Sequence, residues 1–194
     1  MNYPQIIQET SQGISRYTLT EELLKNFEVY CTGEINENNV NNLILQLQYL
    51  NRLDENREIT IYINSPGGNV AQGLALYDVM QAISNPIKTV CYGMAASMAS
   101  ILFMSGNNRL ILSHSCVMIH DPLVNGATGG SALSIKSLSD SIMRTREVVC
   151  TIMAKHCKKT IEEIYEKSAQ DTYFYGQEAI EYGIADEVIT SFKK

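Results

Sequence analysis

The spacing of apolar residues changes repeatedly between residues 27 and 92, and this alternation limits the possible folds more than any other feature. Residues 27–31 and 59–63 alternate apolar and polar side chains, which is typical of half-buried strands. Residues 40–50 and 70–80 place apolar side chains three and four positions apart, which is typical of helices. A chain that runs strand, helix, strand, helix predicts an α/β domain with crossover connections.

The sequence after residue 86 continues this pattern and adds one unusually long helix. A strand is expected at 87–92, and the small residues of 93–105 predict one buried helix that lets other backbones come close. Helical spacing from Ser131 to His156 predicts a helix longer than a domain of this size needs to cover its own sheet. The remaining predictions are a helix cap at Asn36 or Asn38, strands at 109–112 and 116–119, a short helix that begins with a capping box of Thr160 and Glu163, a turn at 172–176, a helix near Gln177 and a strand at 187–189.

Residues 1–20 are polar and differ from the rest of the chain. Pro4 and Gly13 interrupt any periodicity there, which predicts an N-terminal arm that becomes ordered only when another surface holds it. A chain of 194 residues has the size of one domain. We therefore predict a single domain at 21–194.

Charge and cysteine usage exclude several classes of function. The chain has 15 Lys and Arg residues against 21 Asp and Glu, and the net charge of -6 offers no basic field for a nucleic acid. Its five cysteines form no CxxC pair and are odd in number, so we expect no disulfide framework. We also expect no cofactor. The sequence has no signal-peptide pattern and no apolar run of about 18 residues. These features predict a soluble, cytoplasmic protein whose partners include neither nucleic acid nor a membrane.

Three histidines limit any imidazole chemistry to three positions. His156 adjoins Lys155 at the polar end of the long helix, which indicates a solvated helix terminus. His114 lies in a Ser-His-Ser turn and is expected to be exposed. His120 follows the predicted strand at 116–119, and α/β proteins place their sites just past the C-terminal ends of strands. His120 is therefore the candidate functional histidine.

Two glycine-containing turns follow strands, and each has two interpretations. Residues 65–68, Ser-Pro-Gly-Gly, form either an anion-binding turn at a helix start or a tight turn that needs positive φ angles. Residues 93–99 contain Ser97 near a helix start. That serine is either a helix cap or a nucleophile whose neighbouring N–H group stabilises an oxyanion. The residues alone leave both questions open.

A serine nucleophile needs a base and a carboxylate that orients the base. The candidate carboxylates are those of Asp78, Asp121, Asp171 and Asp186. Asp121 adjoins His120 and points away from it if the chain stays extended, and Asp78 lies in the middle of a helix. Spacing alone does not choose between the remaining candidates, Asp171 and Asp186.

Four blocks of the sequence resemble the signature of one protein family. They are 62–68 (YINSPGG), 93–99 (GMAASMA), 118–123 (MIHDPL) and 178–183 (EAIEYG). In this order they are similar to the proteolytic subunit of the ATP-dependent Clp protease, and the similarity covers roughly residues 8–189. The resemblance implies an α/β, crotonase-like fold with repeated β-β-α units and a protruding handle helix. It also implies a serine endopeptidase that cuts unfolded polypeptides into short peptides.

The same resemblance assigns roles to individual residues. It implies Ser97 as the nucleophile, His120 as the general base and Asp171 as the carboxylate that orients it. The backbone N–H groups of Gly68 and Met98 would form the oxyanion hole. No metal belongs to such a site.

The resemblance also implies an assembly. Members of the family form two seven-membered rings that stack into a tetradecamer around a closed chamber, and a hexameric AAA+ Clp unfoldase feeds this chamber. The arm at 1–20 would then belong to the axial pore, and a handle segment at about 123–156 would interdigitate between the rings. This role accounts for the length of the predicted helix. The outer face near Thr60 and Tyr62 is where the family docks its unfoldase.

Several positions depart from the family pattern. Asp121 stands where the family commonly has glutamine, and it adds a carboxylate that could perturb His120. The other departures are Ala169 and Gln170 in place of an acid-arginine pair, Ser134 and Lys136 in place of handle acids that link to that pair across the rings, and Thr60 and Ala82 in place of aromatic residues on the docking face. These changes fit a second paralogue in an organism with two such subunits.

Three functions therefore compete at this level. The first is the serine endopeptidase subunit described above, and the second is an accessory, weakly active ring subunit that partners or activates another paralogue. The third is an acyl-CoA hydratase or isomerase, because crotonases share the fold and use paired N–H donors. Those enzymes usually need a carboxylate where Ser97 stands, so the third function is disfavoured.

Overall fold

The computed structural model describes residues 4–11, 13–124, 126 and 129–192. Parts of the predicted arm (residues 1–3 and 12), of the glycine-rich segment before the long helix (residues 125, 127 and 128) and of the end of the predicted domain (residues 193–194) lie outside the described residues. The elements in chain order are β1 (Gln5–Thr10), β2 (Gly13–Thr18), α1 (Leu19–Lys25), β3 (Glu28–Thr32), α2 (Glu37–Leu53), β4 (Ile59–Ser65), α3 (Val70–Ala82), β5 (Ile87–Ala96), α4 (Met98–Met104), β6 (Asn108–Leu112), β7 (Cys116–Ile119), α5 (Ala132–Cys157), α6 (Ile161–Ser168), β8 (Thr172–Tyr175), α7 (Gly176–Tyr182) and β9 (Glu187–Ile189).

The alternation of strands and helices produces a parallel sheet, as predicted. Strands β3, β4, β5, β6 and β9 are neighbours in that order and all pair in parallel. Helices α2, α3 and α4 connect successive parallel strands, because a parallel pair needs a crossover. The predicted α/β class is confirmed.

Helix α2 shows how the sequence builds the core of this sheet. Its first cap is Asn36, one of the two predicted residues, and the Asn36 side chain accepts a hydrogen bond of 3.1 Å from the Asn39 N–H group. Leu43, Leu47 and Leu50 recur on one face and are buried. Each fully buried leucine contributes about 1.5 to 3 kcal/mol of hydrophobic stabilisation. The periodicity of 40–50 therefore fixes which face of α2 packs inward.

Strand β5 is longer than predicted, and its two halves have different partners. Residues 88–91 pair with β6, whereas residues 94–96 pair with β7. The prediction of one helix over 93–105 is wrong at its start, because the strand continues to Ala96 and α4 begins at Met98. Pairing with β7 overrides the helix propensity of the Met-Ala-Ala run. The turn between β5 and α4 shrinks to one residue, Ser97.

The predicted turn at 172–176 is instead strand β8. It pairs antiparallel with β7, and the register places Ile119 opposite Thr172 and Val117 opposite Phe174. Threonine and aromatic residues favour extended structure, and Phe174 is buried. The partner strand lies more than fifty residues away, so local sequence does not reveal this pairing.

The N-terminal residues form a hairpin for which sequence analysis assigned no regular structure. Strands β1 and β2 pair with each other from Gln5 opposite Thr18 to Thr10 opposite Gly13. They form a separate two-stranded sheet beside the main one. Helix α1 begins directly after β2, with a capping box formed by Thr18 and Glu21. The predicted arm thus has its own secondary structure between residues 5 and 18.

The long helix predicted at 131–156 is present as α5, 26 residues that begin after the cap Ser131. Only its C-terminal part is buried, through Val149, Cys150, Met153 and Cys157. The side chains of its N-terminal half, residues 132–144, are exposed except for the half-buried Ile142. The large apolar side chains exposed on that half are Leu133, Ile135, Leu138 and Met143. Among the described residues, no helix combines the length and apolarity needed to cross a membrane.

Candidate active site

Ser97 forms the whole turn between β5 and α4, and its backbone is unusual. Its φ is +53° and its ψ is -125°, a conformation that residues with a side chain rarely adopt. Hydrogen bonds hold it on both sides, because its N–H group donates to the Met118 carbonyl at 2.9 Å and its own carbonyl accepts from the Ser100 N–H group at 2.9 Å. Such strain persists only where the surroundings fix it, and it is concentrated at functional sites.

The side chain of Ser97 meets the side chain of His120. His120 directly follows β7, and its Nε2 atom lies 2.8 Å from Ser97 Oγ. The two residues are 23 positions apart, and the pairing of β5 with β7 brings them together. Only 14% of the His120 side chain is exposed. An imidazole in this place can accept the hydroxyl proton when its other nitrogen carries the N–H proton.

Asp171 lies on the opposite side of the His120 ring. The Asp171 Oδ1 atom is 3.4 Å from His120 Nδ1, slightly longer than an ordinary hydrogen bond. The pairing of β7 with β8 ends at Ile119 opposite Thr172, and His120 and Asp171 are the residues that adjoin this last pair. Asp171 is far more open to solvent than His120, with 62% of its side chain exposed. Serine, imidazole and carboxylate therefore stand in one line.

The Ser-Pro-Gly-Gly turn lies against the start of α4. A Cβ atom on Gly67, whose φ is +92°, would lie 2.7 Å from Ser97 Cβ and 3.1 Å from the Met98 nitrogen. A Cβ on Gly68 would collide with the backbone of Ile35. Hydrogen bonds of 2.8 Å from the Ile35 N–H group to the Gly67 carbonyl and from the Asn69 N–H group to the Ile35 carbonyl hold the turn in place. Both glycines are thus required for close approach and for positive φ.

The two predicted oxyanion donors belong to these adjoining segments. Met98 is the first residue of α4, and the N–H groups of a first helical turn have no acceptor inside the helix. None of the hydrogen bonds that anchor the glycine turn uses the Gly68 N–H group. The close approach of Gly67 to Ser97 and to the Met98 nitrogen brings the two segments together, and the N–H groups of Gly68 and Met98 remain the predicted oxyanion donors.

The other candidate acids have different neighbours. Asp121 contacts Arg146, with 2.8 Å from Arg146 Nε to each carboxylate oxygen, so it does not face His120. Asp186 is hydrogen-bonded to Arg109, and these bonds hold the pKa of Asp186 below its usual value. Asp78 is exposed on α3. Asp171 is the acid that contacts the His120 ring.

The remaining histidines lie away from this site. His114 is exposed in its turn, as expected. The prediction that His156 is solvated is wrong, because its ring packs edge-on against Tyr77 and its Nε2 lies 3.2 Å from the Tyr77 hydroxyl. Partial burial, together with the nearby charges of Lys155 and Arg109, lowers the pKa of His156 to about 4. His156 therefore lies on the side of α5 that packs against Tyr77 of α3. Within the described ranges, no cluster of three or more histidine, cysteine, aspartate or glutamate side chains is arranged to hold a metal ion.

Two comparisons with known proteins identify relatives of this chain. The model of the Clp protease family matches residues 11–192. The chain is also 37% identical, over 193 residues, to a protein of Ligilactobacillus salivarius (strain UCC118) named "ATP-dependent Clp protease proteolytic subunit". That match covers 98% of this chain and 97% of the relative. The chain belongs to the Clp protease family.

Membership of the Clp protease family distinguishes the peptidase functions predicted from the sequence from the acyl-CoA hydratase or isomerase function. The chain is a serine-type peptidase, and its mixed α/β fold with a parallel sheet is that of the Clp protease family. The acyl-CoA hydratase or isomerase interpretation is therefore wrong. The resemblance stated from the four sequence blocks is confirmed.

In this Clp protease, Asp121 is surrounded by Arg146 and Ser168, which were not among the residues predicted from the sequence. Ser168 Oγ donates to Asp121 Oδ1 at 3.0 Å, in addition to the bonds from Arg146. A signal for Arg146 was present in the sequence. Arg146 precedes Val149 and Cys150 by three and four positions, and therefore lies in phase with the buried face of α5. A cation on a buried helix face indicates a nearby acid.

Proposed function

We propose that this chain is the serine endopeptidase subunit of an ATP-dependent protease, with Ser97, His120 and Asp171 as its catalytic triad. The observation that carries this proposal is the distance of 2.8 Å between Ser97 Oγ and His120 Nε2. A serine hydroxyl is a weak nucleophile until a base within hydrogen-bond reach takes its proton. The strained backbone of Ser97 and the two adjacent N–H donors support the same assignment.

Ser97, His120 and the two N–H donors act in sequence in the reaction. His120 Nε2 removes the proton as Ser97 Oγ attacks the carbonyl carbon of a peptide bond. The N–H groups of Gly68 and Met98 stabilise the oxyanion of the tetrahedral intermediate. His120 then gives the proton to the leaving amine, and a water molecule, activated by the same imidazole, hydrolyses the acyl-enzyme.

Asp171 acts on His120 and not on the substrate. Its carboxylate keeps the proton on Nδ1, so that Nε2 is free to accept, and stabilises the imidazolium when it forms. The distance of 3.4 Å and the exposure of Asp171 describe a loose contact, which tightens when a substrate fills the site.

Labelling with a fluorophosphonate tests the nucleophile directly. The probe reacts with activated serines, so mass mapping of the labelled protein is expected to place the adduct on the peptide that contains Ser97. The Ser97→Ala variant should remain unlabelled. A stable, folded protein with no adduct, or with its adduct on a different serine, would contradict the proposed triad.

We further propose that the substrates are unfolded polypeptides and that the chain works in stacked seven-membered rings fed by a hexameric AAA+ Clp unfoldase. The apolar side chains exposed on the N-terminal half of α5 support contact between subunits. On the outer sheet face Tyr62 stacks on Tyr30 with ring centroids 4.9 Å apart, beside Tyr92 and Phe192, and this group supports a docking surface. Thr60 contributes little to that surface because it is buried.

A second candidate, favoured by the loose contact of Asp171, is an accessory subunit that is weakly active alone. Lys136 pairs with Asp140 on its own helix, and Ala169 and Gln170 carry no charge that could reach another ring. Analytical ultracentrifugation with a fluorogenic peptide assay distinguishes the two candidates. Single rings or a low-activity tetradecamer that gains activity on addition of a paralogue would favour the accessory subunit. A double ring with full activity, insensitive to salt and concentration, would exclude it.

A further inference from the structure

The residue after the candidate base makes an ion pair with the long helix. Arg146 Nε lies 2.8 Å from both oxygens of Asp121, and 19% and 35% of the two side chains are exposed. A partly buried pair of this kind is more strongly coupled than a surface pair, because water screens it less. Asp121 is thereby anchored to α5.

Asp121 is also tied to the end of α6. Its N–H group donates to the Ser168 carbonyl at 2.7 Å, and its carboxylate accepts from the Ser168 hydroxyl at 3.0 Å. Ser168 is fully buried. Arg146 contacts the same helix, because its Nη2 atom donates to the Tyr165 carbonyl at 3.2 Å and its guanidinium lies 4.0 Å from the centre of the Tyr165 ring. One ion pair therefore joins α5, α6 and the segment after β7.

These contacts hold the backbone on both sides of His120 and Asp171. On one side the two residues adjoin the paired strands, where Ile119 lies opposite Thr172. On the other side the next contact is the double hydrogen bond between Asp121 and Ser168. Asp171 lies in the short loop between these two attachments, and its own side chain is mostly exposed. Its position against His120 is consequently set by the backbone at both ends of the loop.

We propose that Asp121 and Arg146 are positioning residues that hold His120 and the loop of Asp171 in working geometry from within one subunit. The proposal rests on the triad of the proposed function. The pair does not touch the reacting atoms, and acts through the backbone on either side of the imidazole. The pair thus holds His120 and Asp171 through contacts within one subunit, without an ion pair to another ring.

The expected kinetic effect follows from the geometry. A misplacement of about 1 Å at a catalytic group can cost about 100-fold in rate. We expect Asp121→Asn and Arg146→Gln each to lower kcat about 10- to 100-fold, with KM within about twofold of the wild type, because the two side chains contact each other, Ser168 and Tyr165 and not Ser97. The double variant should be no worse than the more impaired single variant, since both changes remove the same interaction.

The experiment measures kcat and KM on a fluorogenic peptide, the rate of fluorophosphonate labelling at Ser97, and the native mass of every variant. Arg146→Lys keeps the charge and is expected to retain more kcat than Arg146→Gln. Asp186→Asn is the matched control, because Asp186 also accepts hydrogen bonds from one arginine, and these bonds go to Arg109 on β6 and not to the segment after β7. It should stay within about twofold of the wild-type kcat. If Asp121→Asn fails to assemble, Ser168→Ala removes the hydroxyl bond to Asp121 and a weaker contact with Cys150 Sγ but keeps the ion pair, and it should lower kcat less, in the same direction.

The outcomes separate the two proposals. Losses of kcat in both pair variants, at unchanged native mass and with the control unaffected, support the positioning role. Wild-type kcat in Asp121→Asn and Arg146→Gln, or an equal loss in Asp186→Asn, overturns it while leaving the triad in place. A wild-type protein that neither hydrolyses the peptide nor labels at Ser97 overturns the proposed function, and the positioning role with it.

Discussion

His120 Nδ1 lies 3.4 Å from Asp171 Oδ1 at the point where strands β7 and β8 cease to pair. The contact is therefore a product of strand register. A shift of one residue in an antiparallel pair turns every side chain to the other face of the sheet. The pairing of Val117 with Phe174, whose side chains are both buried, opposes such a shift and so protects the candidate site.

Replacement of the proposed nucleophile should abolish activity without unfolding the protein. Ser97→Ala removes one oxygen from a tightly bonded turn, and its peptidase rate is expected to fall by several orders of magnitude, as in other serine peptidases that lose a triad member. Ser105→Ala is the matched control, because this serine is also buried at α4 but its hydroxyl donates to the Leu102 carbonyl at 2.7 Å and not to Ser97, so the variant should retain most of the activity. Peptide hydrolysis and thermal unfolding of both variants provide the measurement. Normal hydrolysis by Ser97→Ala would rule out the serine mechanism.

The orienting carboxylate is tested by Asp171→Asn. The amide can hold His120 in the wrong tautomer and cannot stabilise the imidazolium, so kcat should fall at least about 100-fold while KM changes less. Steady-state kinetics with a fluorogenic peptide measure both quantities. We expect this loss to exceed that of Asp121→Asn, which only shifts the backbone. The reverse order would mean that the orienting role belongs to Asp121.

The close approach of the glycine turn predicts a site-specific effect of one methyl group. Gly67→Ala would place a Cβ atom 2.7 Å from Ser97 Cβ, so either the turn or the serine must move. We expect at least about a 10-fold loss of kcat. Gly33→Ala is the control, since Gly33 also has a positive φ of +73° but its Cβ would meet no atom within 4 Å. Equal losses of activity in the two variants would show that backbone strain, and not contact with Ser97, is responsible.

The partly buried ring of His156 predicts a stability change in mild acid. Its pKa is about 4 in the folded protein and 6.5 in a solvated histidine. The unfolded chain therefore binds a proton between these values and the folded chain does not, so stability is full above pH 6.5 and falls as the pH drops toward 4. The difference corresponds to about 3 kcal/mol for a fully buried ring. Solvent screening of this partly buried one reduces it to about 1 kcal/mol.

Urea unfolding at pH 7 and pH 5 measures this effect. In His156→Gln the fall in the free energy of unfolding between the two pH values should be smaller than in the wild type. The exposed His114 supplies the control, because His114→Gln should leave the fall unchanged. An identical pH dependence in the wild type and in His156→Gln would exclude a contribution from this ring.

Much of the fold was predictable because periodicity encodes burial. The alternation in 59–63 and the spacing in 40–50 identify elements whose one face packs on the sheet. The errors occur where a distant partner decides the conformation. Residues 93–96 extend β5 because β7 pairs with them, and β8 exists because the same strand accepts it on the other side. Neither partner lies within the window that propensity can assess.

The candidate site was predictable from family resemblance but not from spacing. Asp171 could not be distinguished from Asp186 by position along the chain, because the strand register that brings Asp171 to His120 is a tertiary feature. The role of Asp121 was foreseen only as a possible disturbance of His120. In the structure the Asp121 carboxylate is instead hydrogen-bonded to Arg146. Long charged side chains reach across elements, and sequence patterns do not give their direction.

Ser97 and Asp171 are held by the fold to different degrees, and this difference determines how the site can lose activity. The Ser97 N–H group is bonded to the Met118 carbonyl between β5 and β7, so its amide proton should exchange with solvent only in large openings of the sheet. Asp171 belongs to a short, exposed loop that can open at a much lower free energy. Inactivation then requires only a local fluctuation, from which the intact remainder of the molecule can rapidly restore the working state.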